Sequence, residues 1–283
     1  MAIPYSNTSS EHAAVVRQIA ILAGESQKSE LGRSPLFQSQ QLIFAESPEE
    51  LVGLKADAYM DLMFEEDLYE EFKKNSVSRK MNESGIFQSG SVRPVETGVR
   101  KPTPGNQDES EKIPQIKRDG KSVFQPYSER ETRRIETLSR LLPLPVFINS
   151  VIRPVSAVHP DFIRINGWPG FLEMPLLEAA AKEDSAKKAG RIFGNLILFV
   201  KDVPGFVNPR IISMIINEAC FTLGAGTSSR SEIDTAMKLG TNYPLGPFEW
   251  KEKIGGHRVA ALLTALQEED GLYGLAEQLK MEN

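Results

Sequence analysis

Few side chains in this 283-residue sequence are suited to chemistry, and their positions narrow what that chemistry could be. The apolar run QIAILA (18–23) leads into AGESQKSELG, where Gly24 and then Glu25 open a short helical stretch that ends before Pro35. A turn of this kind after a first buried strand is where a dinucleotide pyrophosphate rests, because backbone N–H groups at a helix N-terminus face it. Glu46 follows a second apolar run, LIFA (42–45), about twenty residues on, where an acid would meet a ribose hydroxyl. Gly24 and Glu46 are therefore the candidate cofactor-binding residues. The remaining glycines of G-x-G-x-x-G are missing, and Glu25 brings negative charge where positive potential is wanted. The three histidines stand apart: His12 in an N-terminal tail, His159 in a connection, and His257 at a helix start. Cys220 is the only cysteine, which excludes an intrachain disulfide and a cysteine-based metal site.

The elements that must position these residues follow from hydrophobic patterning. Apolar runs at 18–23, 42–45, 58–64, 144–150, 162–166 and 196–200 read as strands, with LILFV (196–200) as a buried one. Helical stretches at 47–55, 130–142 and 184–194 fall between them, which predicts a parallel sheet with crossovers. From Lys73 to Tyr127 prolines punctuate a polar stretch without helix or strand period, expected to be a disordered insertion. After Asp202 every signal is helical. Asn208-Pro209 reads as an N-cap and first helical position, and Gly224 as a stop. Between them only Ser213, Asn217, Glu218 and Thr222 are strongly polar, so that helix should be covered on several sides. Ser229 and Glu232 predict a capping box for a helix over 230–239, and Val259, Leu262, Leu263 and Leu266 mark another. The fold class is an α/β Rossmann-like parallel-sheet domain followed by a small all-α domain. The expected division is a tail over 1–16, the sheet domain over 17–200 with the insertion at 73–127, and the helical domain over 201–283.

The stretch KDVPGF…NEA…EIDTAMKLGTNYPLGPFEW resembles the C-terminal domain of the 3-hydroxyacyl-CoA dehydrogenases. The matching residues are Asp202, Pro204, Gly205 and Phe206; Asp234, Ala236, Met237 and Gly240; and Tyr243, Pro244, Gly246, Pro247, Phe248 and Glu249. Most of them have structural readings, such as tight turns at Gly205 and Gly246. The resemblance implies a 3-hydroxyacyl-CoA or other acyl-CoA as substrate and NAD as cofactor. It also implies a homodimer formed through residues 201–283. In that family a histidine takes the hydroxyl proton, a glutamate orients it, and a serine and an asparagine bind near the reacting oxygen. Carried over residue by residue, the family's L-V-E falls on Leu176-Leu177-Glu178, making Glu178 the orienting acid. Counting back twelve places puts Asn166 at the histidine, and an amide takes no proton near pH 7. The N-T-S-S pattern falls on Asn149, Ser150, Val151 and Ile152, so Ser150 is the nearby hydroxyl while Val151 stands at the usual serine. Asn208 is displaced by one from the family's asparagine and reads as a helix cap. The candidate catalytic residues are Glu178, Asn166 and Ser150. Glu178, without a histidine to orient, is expected to be partly exposed near a strand end.

A net charge of −5 gives no reason to expect nucleic-acid binding, and no apolar run is long enough to span a membrane. The N-terminus lacks the pattern of a signal peptide, which makes a cytoplasmic location the expectation. Two readings of function stay open. One is an NAD-dependent 3-hydroxyacyl-CoA oxidoreductase with an altered site. The other is a catalytically silent relative serving as an acyl-CoA-binding or dimerising scaffold. A third idea, that the excess of Lys and Arg in 73–127 binds an anionic partner, is weaker than a solvated linker.

Overall fold

Strands β1 (Gln18–Leu22), β2 (Gln41–Ala45), β3 (Ala58–Asp61), β4 (Val146–Asn149), β5 (Ile163–Ile165), β6 (Leu177–Ala180) and β7 (Ile197–Phe199) build one sheet. Their order is β2-β1-β3-β4-β5-β6-β7. The computed structural model describes residues 17–83, 127–271 and 273–281; the expected tail lies outside them, as does 84–126 of the expected insertion. The remainder of that insertion differs from expectation, because helix α3 (Glu66–Glu83) carries regular structure through residues 73–83.

Side chains alternate between two buried faces. Ile19, Ile21, Met60 and Phe147 point to one face, where they meet Leu31 of α1 (Glu25–Arg33) and Ala189 and Phe193 of α6 (Glu183–Phe193). Ala20, Leu22, Tyr59, Val146 and Ile148 point to the other. There they meet Leu51 of α2 (Pro48–Gly53), Leu138 of α4 (Glu129–Ser139) and Val155 of α5 (Val155–Val158). Burial on both faces is why these strands read as continuous apolar runs. The parallel expectation holds for every neighbouring pair except β5 and β6, which run antiparallel. Residues 166–176 joining them are too few for the crossover that parallel strands require. LILFV is an edge strand and not a buried one: Leu198 is 46% exposed, since only β6 flanks β7.

Beyond the sheet come α7 (Asn208–Gly224), α8 (Arg230–Thr241), α9 (Pro247–Ile254), α10 (Gly256–Asp270) and α11 (Glu277–Met281). Their apolar core runs without a break into Tyr69, Val151, Trp168 and Phe171, which lie at or beyond the C-terminal ends of the strands. The Ser229–Glu232 capping box forms as expected, with Glu232 N–H donating to Ser229 Oγ and Ser229 N–H to Glu232 Oε2. Helix α7, expected to be covered on several sides, buries Ile212, Ile216, Ala219 and Cys220 but leaves one apolar face open. Its polar residues Ser213 and Asn217 are buried, while Ile211, Met214 and Phe221 stay between 42% and 49% exposed. The cause is the returning chain: Asn217 Nδ2 donates to the Gly274 carbonyl at 2.7 Å, and its Oδ1 accepts from Ala276 N–H at 2.9 Å.

Candidate functional site

The β5–β6 ladder brings Asn166 and Glu178 together. Arg164 pairs with Ala180 and Ile165 with Ala179, so the next pair outward is Asn166 opposite Glu178. Asn166 N–H donates to the Glu178 carbonyl at 3.0 Å. Directly opposed residues present side chains on one face, and Asn166 Nδ2 donates to Glu178 Oε2 at 3.2 Å. Two residues twelve positions apart in sequence thus become neighbours in space.

The Glu178 carboxylate has further partners at the start of α7. Val207 N–H donates to Oε1 at 3.2 Å, and Asn208 N–H reaches Oε1 at 3.1 Å and Oε2 at 3.2 Å. A helix leaves its first N–H groups unpaired and its N-terminus electropositive, so a carboxylate there satisfies both. Two expectations change here. Asn208 makes no side-chain cap, because it is the first residue of α7 and Val207 stands at the cap position, while its backbone N–H donates to Glu178. Glu178 is only 3% exposed, because α7 closes over it. Burial pushes its carboxyl above the ordinary carboxylate range, while the bonds from Asn208, Asn166 and Val207 pull it back down.

Ser150 is turned elsewhere. Its Oγ lies 2.8 Å from both Glu65 Oε1 and the Arg153 carbonyl, and it is fully buried. Glu65, which follows β3, is the centre of that second cluster and is a residue that sequence reasoning missed. Its carboxylate accepts the successive N–H groups of Val151 (2.7 Å), Ile152 (3.1 Å) and Arg153 (2.9 Å). It also accepts Tyr69 Oη at 2.8 Å, and Tyr69 Oη in turn accepts Trp168 Nε1–H at 2.8 Å. Consecutive N–H groups converging this way form an anion-binding concavity, and here the occupant is internal. Val151 packs in the helical domain's core. Arg164 was also missed, although a charge inside FIRIN was its signal. It donates to the Ser150 carbonyl at 2.6 Å and the Val151 carbonyl at 2.7 Å, and pairs with Asp202 at 2.8 Å.

At the other end of the sheet, Gly24 and Glu46 sit where a dinucleotide would lie. The chain leaves β1 toward β2 on one side and reaches β3 on the other, so the switch point falls between β1 and β3. Gly24 precedes α1, and its N–H donates to Gln27 Oε1 at 3.0 Å. Gln27 Nε2 donates to the Leu62 carbonyl at 3.0 Å and faces the Gly167 carbonyl at 3.5 Å. Asn149 Nδ2 donates to the same Leu62 carbonyl at 3.0 Å, and Asn149 Oδ1 accepts Gly167 N–H at 2.9 Å. Lys28 pairs with Glu25 at 2.9 Å and Glu46 at 3.5 Å. Beyond them an open cleft of about 590 Å³ is lined by Glu46, Ser47, Met63, Asp67, Arg130 and Arg133. Of the histidines, His159 accepts Asp161 N–H at Nδ1, and burial with the Arg258 charge takes His257 down to about 4. Among the described residues no cluster of His, Cys, Asp or Glu could hold a metal ion, and no helix is long and apolar enough to cross a membrane.

Comparison with known proteins matches residues 205–281 to the family described as 3-hydroxyacyl-CoA dehydrogenase, C-terminal domain. The 3-hydroxybutyryl-CoA dehydrogenase of Clostridioides difficile is 44% identical over 155 residues, covering 53% of this chain and 55% of the relative. The 3-hydroxyadipyl-CoA dehydrogenase of Escherichia coli K12 is 41% identical over 97 residues, covering 33% of this chain and 20% of the relative. The chain thus spans about half the length or less of these relatives. An (S)-3-hydroxybutyryl-CoA dehydrogenase structure from Ralstonia eutropha superposes over 94% of this chain and 93% of its own, with a TM-score of 0.50 and 16% identity, which shows the shared fold. In the helical domain the matching residues have steric reasons: Asp234 Oδ1 accepts Phe248 N–H at 2.8 Å, and a Cβ on Gly246 would lie 2.3 Å from that same oxygen. The sequence match to the 3-hydroxyacyl-CoA dehydrogenases is therefore placed on residues 205–281, the family's C-terminal domain.

Proposed function

We propose that this protein is a 3-hydroxyacyl-CoA dehydrogenase-like member of acyl-CoA metabolism that keeps the family's fold without its proton-transfer chemistry, and serves as a dimerising scaffold. The observation that carries this reading is the pairing of Asn166 with Glu178. Oxidation of a 3-hydroxyacyl-CoA requires a base for the hydroxyl proton, and an amide is none at neutral pH. The acid that would orient such a base is buried and already bonded to two backbone N–H groups of α7. Ser150, the nearby hydroxyl, is directed at Glu65. General-base assistance is worth about 10² to 10⁴ in rate, so its loss together with the serine leaves little. The test is reduction of acetoacetyl-CoA by NADH, followed as absorbance loss with purified protein. We expect no turnover above background. Robust turnover that Glu178→Gln abolishes would sink the reading and establish Asn166 and Glu178 as a different working site.

The scaffold half rests on the outward face of α7. Ile211, Met214 and Phe221 recur at helical spacing and stand exposed, which is costly for a lone chain and suits a second copy. An apolar pocket of about 310 Å³ formed by Phe171, Met174, Ile211, Ile215, Tyr243 and Trp250 adjoins them. Light scattering of the full chain should give a dimer at tens of micromolar, and Met214→Glu should return the monomer. An active oxidoreductase is the second reading, favoured by the dehydrogenase activities of the relatives and by NAD as the cofactor at the level of the family.

A further inference from the structure

We infer that the pyrophosphate and nicotinamide places of the dinucleotide crevice are taken up by this chain's own side chains, with Gln27 buried across the switch point and Lys28 bridging Glu25 to Glu46 at the surface, while the cleft beside Glu46 stays open. The inference deepens the proposed function and rests on it only for the statement that no hydride transfer is needed.

A dinucleotide lies across the strand ends at the switch point, its pyrophosphate against free N–H groups at the start of the first helix and its approach cleared by glycines. Laid on directly after β1, the three glycine places of the fingerprint fall on Ala23, Glu25 and Lys28, so that Gly24, the one glycine of the turn, stands one place off. Each adds side-chain atoms where the backbone must be bare. Two of them add charge as well. Glu25 is 90% exposed in the first turn of α1, so its carboxylate stands where two phosphate charges would arrive. Lys28 could offset it only by leaving the carboxylates it already bridges, Glu25 on α1 and Glu46 beyond β2. That bridge joins the pyrophosphate place to the ribose place and engages both.

The switch point itself is stitched shut. Gln27 is 4% exposed and spans it, accepting from Gly24 after β1 and donating to Leu62 after β3. Asn149 at the end of β4 extends the same network to Gly167. There is no slack in it: a Cβ on Gly167 would come within 2.9 Å of Asn149 Cγ. From the far side Glu30 of α1 accepts Gly170 N–H at 2.8 Å, which ties the 167–170 loop down over the strand ends. A nicotinamide ring at this point would have to displace bonds that are buried and mutually satisfied, leaving donors and acceptors without partners.

Two measurements test this. In the first, NADH is titrated into the intact chain and energy transfer from Trp168 and Trp250 to the reduced ring is followed, with calorimetry alongside. No saturable signal is expected up to about 1 mM, and half-saturation below about 1 mM would overturn the inference. In the second, Gln27→Ala is melted beside the parent. A side chain bonded across the switch point should cost about 2–8 °C in Tm when removed, and an unchanged Tm would show that the bridge does not form. NADH binding without acetoacetyl-CoA turnover would sink this inference and leave the proposed function standing, whereas turnover would sink both.

Discussion

Glu178 and Asp234 do the same physical work in two parts of the molecule, and the difference between them is instructive. Each is a buried carboxylate that accepts backbone N–H at the start of a helix it does not belong to, Glu178 from Val207 and Asn208 and Asp234 from Phe248. Asp234 holds α9 from a helix only 14 residues earlier, inside a stretch where the family's residues and spacing are kept. Gly246 must be small because Asp234 fills the space beside it. Glu178 holds α7 from 30 residues away, on a strand of the sheet, and does so beside an asparagine. In the helical domain such a carboxylate is scaffold in every sense. In the proposed reading, the sheet domain has converted an acid that could have served chemistry into the same kind of scaffold.

Removing the cap at α7 should show the largest effect. Glu178→Ala leaves the Val207 and Asn208 N–H groups and the Asn166 amide without their acceptor. We expect a loss of about 3 kcal/mol in urea unfolding; a loss near zero would mean that water replaces the carboxylate freely and that α7 is not held by it. Gly246→Ala attacks the other junction and should cost about 2 kcal/mol through overpacking. Since the crowding atom belongs to Asp234, the pair Gly246→Ala with Asp234→Ala should cost less than the sum of the two single changes. Additive costs would separate the glycine from the carboxylate. The comparison sharpens further with Asn166→His, which sets an imidazole beside Glu178. Acetoacetyl-CoA reduction should stay within about tenfold of background, because the serine place remains Val151.

The smallest effect concerns pH. Burial holds the Glu178 carboxyl above its ordinary 4.5, so the folded chain binds that proton more tightly than the unfolded one. The resulting contribution to stability is present at low pH and is lost as pH rises from about 4.5 through the folded pKa. The stability gap between the parent and Glu178→Gln should therefore be larger at pH 5 than at pH 7. A gap that widens with pH would show that the α7 bonds outweigh burial at this carboxylate.

Much of the fold was legible because its signals are short-ranged. Apolar runs located strands β1 to β5 and β7, and the Ser229–Glu232 box lies within one turn of helix. Strand β6 was missed, since LLEAA has neither a long apolar run nor an alternating pattern. The start of α7 was placed correctly, but its cap was assigned to Asn208 because the real acceptor is remote in sequence. Ser150 looked like a site hydroxyl until Glu65, 85 residues away, claimed it. Gln27 carried only the local signal of a glutamine three places after Gly24, and nothing in the sequence pointed to its other partner, the Leu62 carbonyl. Backbone groups are the same in every residue and leave no trace in composition.

By itself the sequence determined the family likeness of residues 205–281, the order of sheet and helical domains, and the absence of a histidine twelve places before Glu178. These depend on residue identity and local spacing, which a chain carries whether or not it is folded. Only the tertiary structure decided that Glu178 is a helix cap, that α7 buries Ser213 and Asn217 while Ile211, Met214 and Phe221 stay exposed, and that Gln27 bridges the switch point. Each of these is set by which distant segment arrives to satisfy a buried polar group, and a polar side chain has several acceptable partners until packing removes all but one.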